Sequence, residues 1–502
     1  MIIAHDLGTT GDKASLHGDD GHLISAITIP YLTQYGEHGI VEQDPNDWWN
    51  AVAQATRVLL ERTSTSKDAV KAISFSGQMM GAVFLDSQLE PVRPSMIWAD
   101  TRSGQQCDSL ITQVGLQRGY KITGHQLNPT YSLTKIMWLR DNEPEMFARV
   151  HKVCLAKDFI VARLTGRLAT DPSDASGTNA YDQTEGCWSE EILSAAGIDP
   201  HLLPEIVPST TTVGTVRASA AEATGLATDT AVVIGGGDGP LAALGAGIVG
   251  PEDGAYVYLG SSSWVSVAAN QPLLDPQMRT MTFDHVIPGR YVPTATMQAG
   301  GGSLQWIAEI LQPGSASTKF EHLLSEADTA EASSEGLYFL PHLLGERSPY
   351  WNPDARGAFL GLSRHHGRAH MVRAVLEGVA FNLFTCVEAF RDAGIGVDRV
   401  DAIGGGAKSD TWLQIIADVW GTTVRRRSIV DEANSLGAAV VAGVATGLLG
   451  DFSATHSLSE VTAEFLPDPE RHGKYADRHA VFLDGYRRLE TWFPARGNEG
   501  RK

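Results

Sequence analysis

A four-residue pattern of leucine, glycine and two hydroxyl side chains occurs twice in strand-like surroundings, as Leu7-Gly8-Thr9-Thr10 and as Leu259-Gly260-Ser261-Ser262. The 252 residues between Gly8 and Gly260 are half of the 502-residue chain. Each copy follows a short apolar run, Ile2-Ile3-Ala4-His5-Asp6 or Ala255-Tyr256-Val257-Tyr258. Each is followed by another, Lys13-Ala14-Ser15-Leu16 or Trp264-Val265-Ser266-Val267. Both therefore predict the tip of a β-hairpin, and Asp19-Asp20-Gly21 extends the first into a meander with Leu23–Ile29 as a third strand. Helical and strand patterns alternate after each meander. In the first half a helix opens at Asp44-Pro45 and a strand follows over 69–74; in the second a long helix runs from about His370 to near Gly394. Two related α/β domains facing each other across a cleft follow, 1–248 and 249–502, since a chain this long exceeds one ordinary core.

Glycine turns add detail. The chain has 52 glycines, about 10% against a usual ~7%, and three clusters stand out: Gly235-Gly236-Gly237, Gly300-Gly301-Gly302 and Gly404-Gly405-Gly406. The second and third lie between a strand pattern and a helix pattern, where backbone N–H groups can approach a phosphate; taken singly, each is equally a tight turn. Neither fits a P-loop or a dinucleotide fingerprint. A hairpin of small hydroxyl residues also suits phosphate because nothing bulky blocks the backbone, and Lys13 adds a point charge. Two such hairpins would pinch a polyphosphate from both sides.

The net charge of −20 argues against a protein that coats nucleic acid or an anionic membrane. The four cysteines, Cys107, Cys154, Cys187 and Cys386, are far apart and predict neither zinc nor a disulfide framework. No signal peptide and no uninterrupted apolar span is evident, so a cytoplasmic protein is expected.

The run Asp6-Leu7-Gly8-Thr9-Thr10-Gly11-Asp12-Lys13 and the run Tyr258-Leu259-Gly260-Ser261-Ser262 resemble the two phosphate motifs of the FGGY family of carbohydrate kinases, most closely its xylulokinase branch. Gly404-Gly405-Gly406-Ala407-Lys408-Ser409-Asp410-Thr411-Trp412 resembles the adenosine segment of that family, and the stretches 339–349 and 432–439 are also family-like. The resemblance spans nearly the whole chain and implies two RNase H-like α/β domains of the actin and hexokinase superfamily flanking a catalytic cleft. Ser76-Gly77-Gln78-Met79-Met80 matches a sugar-site motif that typically ends in histidine. Met80 puts a thioether, a weak acceptor, where an imidazole is usual, which weakens the link to xylulose but not to a kinase. Trp98-Ala99-Asp100-Thr101-Arg102 resembles the segment that reads substrate hydroxyls; its plain alternative is a salt bridge.

Asp238 follows the first glycine cluster. On local grounds it is either a helix cap or a functional acid; the resemblance makes it the general base. Phosphoryl transfer needs an aligned hydroxyl, charge neutralisation and such a base. The resemblance further implies ATP and Mg²⁺, with Asp6 holding the metal through water. Thr9, Thr10, Lys13, Gly260, Ser261 and Ser262 would orient phosphates, while Gly301, Gln305, Gly405, Gly406 and Asp410 line the nucleotide pocket. Gln78, Met79, Met80, Asp100, Arg102 and Asp238 would meet the acceptor, a small sugar or polyol, first D-xylulose and otherwise another ketose, an alditol or an aldonate. A homodimer is the family-like assembly.

His5 neighbours Asp6 on a strand, so it faces the opposite side and is structural. His365-His366-Gly367-Arg368-Ala369-His370 lacks a nearby carboxylate or cysteine in sequence and reads as a solvated helix start. An ATP hydrolase or phosphatase, or a nucleotide-switched assembly protein, could use the same hairpins, although neither needs the sugar-like segment 76–102.

Overall fold

A computed structural model describes residues 1–312, 318–330, 333 and 335–494. Its first sheet is built on the meander β1 (Ile2–Leu7), β2 (Gly11–His17) and β3 (Leu23–Pro30), all antiparallel. Helix α1 (Pro45–Thr63) is set by Asp44, whose carboxylate accepts from Asn46 N–H, a cap of about 1 kcal/mol. The next strand, β4 (Ala72–Gly77), adds parallel to β1. It begins three residues later than the apolar pattern indicated, because Lys67–Ala69 forms a 3-10 turn. Strands β5 (Thr212–Thr215) and β6 (Ala231–Val233) complete the order β5-β6-β4-β1-β2-β3, with Gly236–Gly237 pairing along the end of β4.

The second sheet repeats this scheme. Strand β7 (Ala255–Leu259) pairs antiparallel with β8 (Ser263–Val267), which pairs with β10 (Tyr291–Met297), itself edged by β9 (Met281–Asp284). On the other side β11 (Arg399–Ile403) lies parallel to β7 and β12 (Thr423–Arg427) parallel to β11, and β13 (Val461–Phe465) closes the edge antiparallel. Both sheets thus carry an antiparallel meander, two parallel strands and an antiparallel edge. This is the RNase H-like pattern, so the repeated sequence motif occupies the same hairpin in each half.

Residues 81–204 leave the first sheet after β4; they send the helix Ala156–Thr165 back into the core of that sheet and otherwise form a mostly helical lobe with its own apolar core, including α2 (Ser132–Asn142). Helix α3 (Asp238–Gly245) and helix α7 (Ala433–Ala445) pack against each other and under the first sheet, with Leu241, Leu244, Leu436 and Val440 against Ile2, Ala4 and Val233. The second half of the sequence therefore returns to seat one helix beneath the first sheet. Helix α5 (Arg368–Asp392) is the one described helix long and apolar enough to cross a membrane, and it forms the spine of the second core.

Candidate active site

The hairpin tips project into the cleft with their carbonyls occupied from behind. Thr9 O accepts from Gln43 Nε2 at 2.6 Å and from Thr33 Oγ1 at 3.2 Å, and Gly8 O accepts from the Tyr31 hydroxyl. In the second hairpin Gly260 O accepts from Gly301 N–H at 2.7 Å and Ser261 O from Gly302 N–H at 3.0 Å. With the carbonyls engaged, each tip presents hydroxyls and N–H groups forward, the polarity an oxyanion requires. Thr10 and Ser261 are exposed, and Thr9, Gly260, Ser262 and Lys13 are half-buried.

This geometry gives Gly301 a structural part in the second hairpin. Its N–H is spent on the hairpin, and a Cβ there would stand 2.6 Å from Gly260 O. The glycine cluster is a brace behind the phosphate hairpin. Helix α4 (Gly301–Leu311) starts from it, and Gln305 lies exposed on that helix beside Glu309. Across the second domain, Gly405 is exposed with open space where a Cβ would be, whereas Gly406 packs on Leu259 and Trp412. Asp410 opens helix α6 (Asp410–Trp420), exposed and paired with Arg426.

Asp6 ends β1 opposite Lys13 in the β1–β2 register. Its Oδ1 accepts from Ser76 Oγ at 2.8 Å and from Asn434 Nδ2 at 3.4 Å, whereas no described residue donates to Oδ2. Burial raises its pKa, with Lys13 opposing. One carboxylate oxygen left without a donor beside the first hairpin is the kind of group that would hold a Mg²⁺ through water. His5 points the other way, as strand alternation demands, and is buried between Asp12, Thr56 and Phe75.

Asp238 is the first residue of α3. Gly235 makes the turn possible: its φ is +72°, and a Cβ there would stand 1.9 Å from Phe75 O. The Asp238 carboxylate accepts from the adjacent Gly239 N–H, at 2.8 Å. Burial first, then the negative charge of Asp6, pushes its pKa up to about 7, while Gly239 N–H and Arg347 pull it down. Such a group is poised to take a proton near neutral pH. Behind it Gly237 N–H donates to Ser173 Oγ at 3.0 Å. Ser173 donates to Asp171 at 2.5 Å, and Asp171 meets Lys157 Nζ at 3.0 Å, all wholly buried. Lys157 also pairs with Asp158 and Asp174. Burial, with Asp158 and Asp171 nearby, holds the Asp174 carboxyl well above the usual range.

Asp238 lines a cleft cavity of about 100 Å³. Its walls are mainly apolar: Met79, Met80, Trp98, Trp264, Met281 and Phe283. Trp264 stacks on Tyr258 at 4.1 Å and donates Nε1–H to the Tyr256 hydroxyl, which donates to Gly239 O at 2.8 Å. The polar lining comes from Asp238, Ser262, Thr294, Thr296 and Arg347. Arg347 donates to Thr296 Oγ1 at 3.1 Å and lies 5.6 Å from the Trp98 ring centroid. It has no carboxylate ion-pair partner among the described residues, and its Nε is buried and unsatisfied.

Met79 and Met80 thus line the cavity, but Asp100 and Arg102 do not. Asp100 is fully buried and takes Arg102 Nε and Nη2 as well as Val41 N–H, and Arg102 also reaches Glu42 and lies over Trp138. The two charges satisfy each other inside the lobe. Gln78 sits one step behind the wall, donating to Gln43 Oε1 at 2.8 Å with its own Oε1 buried and unpartnered. Gln43, which nothing in the sequence marked, therefore ties the sugar motif to the Thr9 carbonyl. The histidine run acquires a carboxylate that sequence spacing did not reveal: Glu335 meets His365 and His370. Yet Ser363 N–H donates to His366 Nδ1 and Gly367 N–H to His370 Nδ1, which leaves the Nε2 atoms of both protonated. The cluster is a hydrogen-bonded helix start.

The paired hairpins, the cleft carboxylates and the cavity define a phosphotransferase of the two-domain sugar-kinase class. A profile described as "FGGY family of carbohydrate kinases, N-terminal domain" matches residues 1–245, and its C-terminal counterpart matches residues 255–446. The chain belongs to the FGGY family of carbohydrate kinases. It is 35% identical to a xylulose kinase of Escherichia coli (strain K12), over 97% of this chain and 99% of that one. It is 30% identical to a gluconokinase of Bacillus licheniformis, over 100% and 98% of the two chains. The crystal structure of a ligand-bound xylulose kinase from Lactobacillus acidophilus superposes with a TM-score of 0.92 at 27% identity, covering 98% of this chain and 99% of that one.

Proposed function

We propose that this sugar kinase transfers the γ-phosphoryl group of ATP to the terminal hydroxyl of an open-chain sugar, D-xylulose first, in the cytoplasm. The observation that carries the reading is Asp238, a half-buried carboxylate that lines the cavity together with Ser262 and whose pKa is pushed up to about 7. In this mechanism Asp238 accepts the hydroxyl proton as the oxygen attacks phosphorus. Lys13 and the hairpin hydroxyls hold the phosphates, and the apolar walls exclude water that would otherwise take the phosphoryl group. Mg²⁺, when bound near Asp6, neutralises phosphate charge. Met79, Met80 and Trp98 shape the acceptor end, with Asp100 and Arg102 acting from behind it.

A second reading has one observation in its favour. Arg347 offers the cavity a guanidinium without a carboxylate partner, which suits the carboxylate of an aldonate such as D-gluconate. Sugar-dependent ADP formation with D-xylulose, D-ribulose, xylitol and D-gluconate decides between them. The first reading predicts the highest kcat/KM for D-xylulose. A tenfold preference for D-gluconate, abolished by Arg347→Gln, would replace it with the second. ATP turnover indifferent to every acceptor would overturn both.

A further inference from the structure

Met80 occupies the position where the acceptor pocket departs from the xylulokinase pattern, and its backbone has φ +65°, a left-handed conformation that favours glycine. Something must hold a methionine there. Two successive carbonyls at this point are gripped by the first turn of α2. Lys135 Nζ donates to Met80 O at 2.9 Å, and Ser132 Oγ donates to Gly81 O at 2.6 Å. The same ammonium also donates to Thr130 O, in the loop leading into α2. Lys135 is fully buried and has no carboxylate within ion-pair distance among the described residues. A hydroxyl, with one donor, could not serve both carbonyls as an ammonium with three donors does.

We infer that Lys135 is a positioning residue for acceptor specificity: its ammonium fixes the Met80 carbonyl, and with it the left-handed turn that places the Met80 side chain in the cavity wall. The inference rests on the cavity being the acceptor site. The electrostatic setting of Lys135 works against its charge. Burial pulls the Lys135 pKa down to about 7, Asp100 opposes that fall and Arg102 adds to it. The Asp100–Arg102 pair, which does not reach the cavity, thereby gains a part in the site, because the Asp100 carboxylate helps keep the buried ammonium charged.

The test is a double-mutant cycle between Lys135→Met and Met80→Gly, with D-xylulose and D-gluconate as probes and ADP formation as readout. Lys135→Met is expected to raise the acceptor KM at least tenfold while kcat and the ATP KM stay within about threefold. In the Met80→Gly background the same change adds less than threefold, because glycine takes the left-handed turn unaided. Ser132→Ala, a milder loss from the same grip, gives the same split at about threefold should Lys135→Met not fold. A crystal structure of whichever variant is stable reads the turn independently of turnover, so it remains decisive if neither probe is phosphorylated; that last result would count against the proposed acceptors alone. Equal losses in acceptor and ATP KM, multiplicative effects in the cycle, or an unchanged Met80 backbone in the variant structure would each overturn the inference.

Discussion

Asn434 Nδ2 stands 3.4 Å from Asp6 Oδ1, joining residues that lie 428 positions apart in the sequence. Asp6 belongs to the first strand and Asn434 to the start of α7, the helix that the second half of the chain returns beneath the first sheet. The same amide reaches Asp238 O at 3.5 Å, so one side chain touches both acidic residues of the cleft. Its position ties the Asp6 carboxylate to the Asp238 backbone, and the Asp6 charge in turn raises the Asp238 pKa.

Asn434→Ala is therefore predicted to lower kcat about tenfold with little change in the sugar KM, and Asn434→Asp, which adds a third negative charge, to lower it further. Steady-state kinetics with varied Mg²⁺ reads the effect. Wild-type kcat in Asn434→Asp would contradict the bridging role.

The pKa of Asp238 sets the pH response. A general base must be deprotonated, so kcat/KM should fall as pH drops through about 7. Arg347 holds that pKa down, so Arg347→Gln should move the acid limb to higher pH. The same shift bears on stability. A carboxyl whose folded pKa exceeds its unfolded value of 3.8 loses stability to the folded state as pH rises between the two values. Asp238→Asn is thus expected to melt about 1–3 °C above the parent at pH 8 and to lose that advantage below pH 4. Differential scanning calorimetry across pH checks the sign.

Behind Asp238, Ser173 accepts the Gly237 N–H and hands its own proton to Asp171. Ser173→Ala leaves that amide unpaired in the interior, at a cost of about 1–3 kcal/mol, and frees the segment that aims Asp238. A fall in Tm with kcat reduced more than either KM is the expected outcome.

The second phosphate hairpin depends on its glycine brace. Gly301→Ala would put a methyl group 2.6 Å from Gly260 O. Because backbone must move, the ATP KM should rise about tenfold and the sugar KM should not. Matching shifts in both constants would mean that the cluster only stabilises the domain.

Much of this was legible in the chain because its signals are local. The two hairpins declare themselves through residue type, flanking apolar runs and a repeat of half the length. Asp238 stands out as an acid after a glycine turn. The residues that escaped notice are those whose meaning depends on distant partners. Gln43, Ser173 and Lys135 carry no pattern of their own, and each is explained only by a carbonyl, amide or side chain brought to it by another element. Arg347 and Asn434 lay within family-like stretches, yet nothing in one dimension says that one guanidinium has no carboxylate within ion-pair distance among the described residues or that one amide reaches both Asp6 and Asp238. Asp100 and Arg102 are marked by resemblance to a substrate-reading segment, with a salt bridge as the alternative, and only the fold shows that the two pair with each other away from the cavity lining.

The central claim is that Asp238 takes the proton from the acceptor hydroxyl. Single-turnover phosphoryl transfer by Asp238→Asn, with ATP and acceptor both saturating, tests it most directly. The account predicts a rate at least a thousandfold below that of the parent with ATP and sugar dissociation constants within about threefold; a rate within tenfold of the parent would contradict it.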